Sequence, residues 1–195
     1  MVENLKIPTK KKIFHTKELM DIGFTYYKIN KMVKNGKISK LNKSYYENNM
    51  FEGEDSDFYY VSAYAPDGVV CLMSAAVYYG LSNYRPDSID VAIPKNKNIS
   101  TLPEWPAFNL YYFEEYRYET GISDIKEGEN EFRIYNIEKT VIDIIYYRNK
   151  VGIEETKEIL SNYLNGNDRN INQLVRYSEV LRCYDITKKY LEVLI

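Results

Sequence analysis

Two sets of side chains in this sequence could do chemistry. Lys28, Lys31, Lys34, Lys37, Lys40 and Lys43 fall between residues 25 and 46 with no acidic residue among them, in a 195-residue chain of formal net charge −2. Clustered ammonium groups of this kind neutralise nucleic-acid phosphates. The second set is Asp90, Lys95, Glu114 and Glu115. Metal-dependent nucleases need carboxylates to hold magnesium and a lysine near the scissile phosphate, but here Pro94 separates Asp90 from Lys95 and the order along the chain does not suit such a site. The sequence has no glycine-rich phosphate loop, no GxSxG elbow and no nucleophile at a recognisable spacing from a base. The expectation is therefore a protein that is not an enzyme and takes no cofactor, with a metal-dependent nuclease or other nucleic-acid enzyme as the alternative. Cys71 (VVCLM) and Cys183 (VLRCY) sit in apolar surroundings and read as buried free thiols, and a single histidine, His15, leaves no common zinc pattern. Asp143, alone in the apolar stretch TVIDIIYY, reads as a half-buried group bonded to a basic or backbone donor.

The lysines need elements to aim them. Thr25 is suited to cap a helix in which Tyr26, Ile29, Met32 and Val33 share the apolar face, and Asn35-Gly36 ends it. Its outer side then shows Tyr27, Lys28, Asn30, Lys31 and Lys34. Before it, residues 3–13 read as a weak helix interrupted by Pro8, and Thr16 as the cap of a short helix carrying Glu18, Leu19 and Ile22 up to Gly23. After it, a strand over 38–41, a turn over 42–44 and a return through Tyr45 and Tyr46 make a hairpin. Two short helices across a glycine turn, followed by a basic hairpin, predict a winged helix-turn-helix. Its expected DNA-facing residues are Thr25, Tyr27, Lys28, Asn30, Lys31, Lys34, Lys37, Lys40, Asn42 and Lys43. Asn30 is the first choice for a base contact, because an amide pairs bidentately with adenine whereas lysine supplies a point charge.

Charge divides the chain. Residues 1–48 hold eleven lysines against Glu3, Glu18, Asp21 and Glu47, a net +7, which leaves the remainder at −9. The acidic stretch ENNMFEGEDSD, residues 47–57, reads as a linker, giving domains at 1–48 and 49–195. In the second, a helix is expected up to Pro66, a short small-residue helix within GVVCLMSAAVYYGLS, strands at 88–94, 108–116 and 131–136, and helices from Ile137 to Ile195 with glycine or asparagine breaks. The predicted fold class is α+β, a winged helix-turn-helix followed by an α+β domain with a small sheet and several helices. At 45% hydrophobic and 28% charged residues, with no long apolar run and no secretory signal, the reading is a cytoplasmic protein with no membrane partner. Twenty-one tyrosines spread along the whole chain reflect composition rather than an RNA-stacking motif.

Four segments, KISKLNKSYY, PDGVVCLMSAAVYYGLSNYRPDSIDVAIP, IEKTVIDIIYYRNKVGIEETKEIL and LVRYSEVLRCYDITKKYLEVLI, together resemble the AbiEi family of antitoxins and transcriptional regulators, in the family's order and over nearly the whole chain. The resemblance implies an antitoxin that represses its own toxin-antitoxin operon through inverted repeats in double-stranded operator DNA, in a phage-defence system of the abortive-infection kind. It implies a nucleotidyltransferase-like toxin as functional partner, and, the system being of type IV, no requirement for a direct complex between the two. Inverted repeats are compatible with a monomer in solution that pairs on DNA. Carried over by position, the recognition helix is 25–35 and the wing runs from Lys40 to Tyr46. Where family wings commonly have arginine and glycine, this chain has Lys40, Lys43 and Ser44, which favours backbone over base contacts. Lys139 stands in the place of an arginine. A plain transcription factor without antitoxin activity is the alternative within the DNA-binding class.

Overall fold

The computed structural model describes residues 6–84 and 86–194. It is an α+β fold in which the described strands form one three-stranded and one five-stranded sheet. Residues 3–5 of the expected first helix, and Ile195, lie outside the described residues. The chain divides into two compact units, the first running to Pro66 and taking in Ile125–Phe132, the second comprising Asp67–Asp124 and Arg133–Ile195.

The first unit begins with strand β1 (Ile13–His15), so the residues that Pro8 made a doubtful helix lead into a sheet. Helices α1 (Thr16–Asp21) and α2 (Tyr26–Lys34) follow, then strands β2 (Ile38–Lys40) and β3 (Tyr45–Asn48) and helix α3 (Tyr59–Tyr64). β3 lies between β1 and β2 and is antiparallel to both, with Phe14 opposite Tyr46 and Ser39 opposite Glu47. The cap of α1 is His15 rather than Thr16. His15 Nδ1 accepts from Lys17 N, and Glu18 accepts from His15 N in return, a reciprocal capping box. Thr16 is spent elsewhere, its N–H and hydroxyl both donating to Ser44 O.

Gly23, at φ +95°, ends α1 with Gly23 N donating to Met20 O and Phe24 N to Leu19 O. That left-handed position is open to glycine at little cost. The chain reverses within four residues, and Leu19, Phe24, Ile29, Ile38 and Tyr46 close into one buried cluster with Phe14 and Ile7.

The stretch read as a linker is packed into this unit. Asn48 is buried and donates to Pro8 O and Lys11 O, Asp55 pairs with Lys12, and Glu47 accepts from Tyr60 Oη. The unit thus runs well past residue 48, and it recruits residues 125–132, where Asn130 Oδ1 accepts from Lys12 N and Phe132 packs against Phe58 and Tyr59.

In the second unit, β4 (Val69–Val70) enters α4 (Leu72–Tyr78), followed by β5 (Ser88–Pro94), β6 (Ala107–Phe113) and α5 (Glu115–Glu119). Then come β7 (Ile122–Glu127) and β8 (Asn130–Tyr135), of which residues 125–132 are counted with the first unit, and α6 (Ile137–Tyr146), α7 (Arg148–Val151), α8 (Ile153–Asn165), α9 (Ile171–Val180) and α10 (Tyr184–Leu194). The sheet runs β6-β5-β4-β8-β7 and is mixed, β5 with β6 and β4 with β8 parallel, β4 with β5 antiparallel. Glu114 and Glu115, expected within a strand, begin a short helix, and the strand β7 was not expected.

Helix α6 is buried from Glu138 through Ile145. On it Asp143 is fully buried, not half-buried, and faces two cations. Arg117 Nη1 donates to it at 2.6 Å and Lys139, one turn earlier, pairs with its other oxygen. Arg117 also donates to Leu181 O and stacks on Tyr146, while Lys139 Nζ lies 3.9 Å from the Tyr135 ring centre. Burial lowers the Lys139 pKa although Asp143 pulls it upward. Breaking a buried ion pair on one side leaves an uncompensated charge, worth about 3–5 kcal/mol. Asp143→Ala strands two cations and is expected to lower unfolding free energy by at least about that much, measured by denaturant titration. Lys157→Ala, which breaks the exposed pair with Glu154, is expected to cause no measurable change.

Candidate nucleic-acid interface

Helix α2 is set by its two ends. Thr25 Oγ1 accepts from Lys28 N, and Gly36 at φ +68° closes the C-terminus with Lys37 N donating to Met32 O. Ile29 is fully buried, and Met32 and Val33 pack against the same core. Tyr26 departs from the expected apolar face. It is 63% exposed and its neighbour Tyr27 77% exposed, because the first turn of α2 projects beyond the core that Ile29 reaches. The outer surface of α2 therefore carries Tyr26, Tyr27, Asn30, Lys31 and Lys34, with Lys28 half-buried at its margin.

The hairpin and the residue leading into it add exposed Lys37, Lys40 and Lys43. Its turn is built by Asn42, whose Oδ1 accepts from Ser44 N and Tyr45 N while Nδ2 donates to Ala63 O. Asn42 thus spends its amide on the turn, leaving the lysines beside it as the exposed groups. Tyr45 packs edge-on against His15 and Tyr46 belongs to the core, so the return strand anchors the hairpin.

The lysines of this unit differ in how they are partnered. Lys10 Nζ donates to Glu52 O, Lys11 pairs with Glu18, and Lys12 pairs with Glu47 at 3.2 Å and Asp55 at 2.8 Å. Burial disfavours the Lys12 ammonium, but Asp55 and Glu47 outweigh it and raise its pKa. Among the described residues, Lys28, Lys31, Lys34, Lys37, Lys40 and Lys43 make no ion pair and no side-chain hydrogen bond, and Asn30 makes none either. Six ammonium groups within sixteen residues of sequence, none with a counter-charge, raise the local positive potential, which a polyanion lowers.

Of the carboxylates considered for metal chemistry, Asp90 and Glu114 are otherwise engaged, and Glu115 is exposed at the start of α5. Asp90 is buried on β5, where its Oδ2 accepts from Met73 N and its Oδ1 from Asn109 Nδ2. It caps α4 from outside the helix, where Cys71 offers no side-chain cap and Leu72 sits at φ +45°. Burial raises the Asp90 pKa against the pull of these hydrogen bonds. Lys95 pairs with Glu114. No group of three or more His, Cys, Asp or Glu among the described residues could hold a metal ion, and no described helix is long and apolar enough to cross a membrane. Cys71 and Cys183 are free and buried.

The chain matches no protein-family model, and no curated protein matches it significantly.

Proposed function

We propose that the first unit is a winged helix-turn-helix that binds double-stranded operator DNA, with α2 in the major groove and the β2–β3 hairpin as its wing. The observation that carries this reading is the concentration of six unpaired lysines on α2 and the hairpin, in a unit where Lys10, Lys11 and Lys12 are partnered and Lys17 on α1 is not. A helix capped at both ends holds its outer residues at fixed spacing, as groove entry requires. On this reading the lysines supply affinity and Asn30, with its amide unoccupied, supplies base contact to adenine.

The wider role we propose is antitoxin and autorepressor of a bacterial toxin-antitoxin operon that serves phage defence. Its support is the resemblance of the four sequence segments to the AbiEi family. The partner is then a nucleotidyltransferase-like toxin, opposed without a required complex, and paired copies of the chain occupy the inverted repeats. The chain works in the cytoplasm and catalyses nothing.

In a gel shift of the full chain on its own upstream DNA, affinity should fall by roughly 0.9 log units per log unit of salt for each phosphate contacted. Lys31→Ala with Lys34→Ala should reduce that slope by about 2 without changing thermal stability. An unchanged slope, or no preference over scrambled DNA, contradicts the assignment. In cells expressing the neighbouring gene, the wild-type chain should rescue growth, and the same double variant should lose promoter repression while keeping rescue. Loss of rescue by the folded variant would contradict a division of labour between the DNA-binding face and the rest of the chain.

A further inference from the structure

Tyr26 and Tyr27 are the most exposed large apolar side chains of the first unit. Among the described residues, neither ring has an aromatic or cationic partner and neither hydroxyl a hydrogen bond. Tyrosine prefers an environment that covers its ring and satisfies its hydroxyl. Two adjacent tyrosines left in water beside unpaired lysines have their hydroxyls met by solvent and their rings uncovered in the free chain.

The spacing fixes what surrounds them. Residues three and four apart are neighbours on a helix, so Tyr26 stands beside Asn30, and Tyr27 beside Asn30 and Lys31. Thr25 Oγ1 is occupied in capping. The stretch from 25 to 46 contains no arginine, and so no planar fork to match the paired acceptors of guanine. What remains for reading bases is an amide suited to adenine and two aromatic rings suited to the C5-methyl of thymine.

We propose that Tyr27, assisted by Tyr26, is a specificity-determining residue that reads the thymine methyl, and that with Asn30 it directs the chain to A·T-containing duplex DNA. This rests on the DNA-binding reading of α2. The six lysines attract any duplex through its phosphates, the rings are covered only where methyl groups line the major groove, and selectivity for A·T pairs follows.

The test compares the full chain on three duplexes of equal length, alternating A·T, the same duplex with deoxyuridine for thymidine, and alternating G·C, with single-stranded oligo(dT) as a fourth probe. Uracil removes the methyl and leaves Watson–Crick pairing intact. Affinity is expected in the order A·T, then A·U, then G·C, with the loss from A·T to A·U about fourfold for each methyl contacted, the factor that burying one such carbon supplies. Tyr27→Ala should bring the A·T to A·U ratio to about one, Tyr27→Phe should keep it, and Lys34→Ala should weaken all duplexes alike. Equal binding of A·T and A·U duplexes by the wild type, or a ratio unmoved by Tyr27→Ala, overturns the thymine assignment while leaving DNA binding standing. Tighter binding to oligo(dT) than to any duplex overturns it in favour of single-strand stacking. Failure to bind any duplex overturns the DNA-binding reading itself.

Discussion

The carboxylate of Asp143 ties α5 to α6 inside the second unit. Two cations meet it out of water, Arg117 from α5 and Lys139 from α6 itself. Through Arg117 the same cluster reaches Leu181 O, at the end of α9, and the Tyr146 ring, and through Lys139 it reaches the rings of Tyr135 on β8 and Phe113 on β6. Desolvating three charges is costly, and their attraction compensates only where geometry and hydrogen bonds are complete. Leaving any one of the three charges without its partners would be costly. Apolar packing by Val141, Ile142, Ile144 and Ile145 supplies the burial, and the ionic cluster fixes which face of α6 meets which element.

In the first unit the governing constraint is local. Glycines at left-handed φ end α1 and α2, and side-chain caps begin them, so two short helices keep their orientation on a small core. α1 and α2 are too short to be stable alone in water. Their stability comes from Leu19, Phe24 and Ile29 closing on Phe14, Ile38 and Tyr46. The one lysine this core takes in, Lys12, is paired with Glu47 and Asp55, whereas the six lysines of α2 and the hairpin stay outside it.

Much of this was legible in the sequence where a local rule and the tertiary structure agree. Helix α2, with Thr25 before it and Asn35-Gly36 after it, and strand β5, a short apolar run, stand where their residues place them. Strand β7 was not legible because, with Asp124, Lys126 and Glu127 among six residues at the sheet's edge, it lacks a buried face. The break between α9 and α10 was hidden because Arg182, not glycine, takes the left-handed position at φ +57°. The acidic stretch 47–57 resembled a linker in composition, and only its long-range bonds, Asp55 to Lys12 and Asn48 to Pro8, show it packed. Of the candidate interface, the lysines and Asn30 were readable by spacing, whereas the bond from Asn42 to Ala63 O and the pairing of Lys10 and Lys12 depend on contacts distant in sequence.

The proposed seat of duplex DNA is the unpaired lysine face of α2 and the β2–β3 hairpin. Backbone amide NMR shifts of the full chain, followed as operator duplex is added, test it directly. Perturbations are expected to concentrate between residues 25 and 46, with the amides around Lys10 to Lys12 and on α6 nearly unmoved. Perturbations centred outside 25–46, or none at a duplex concentration that produces a gel shift, would contradict it.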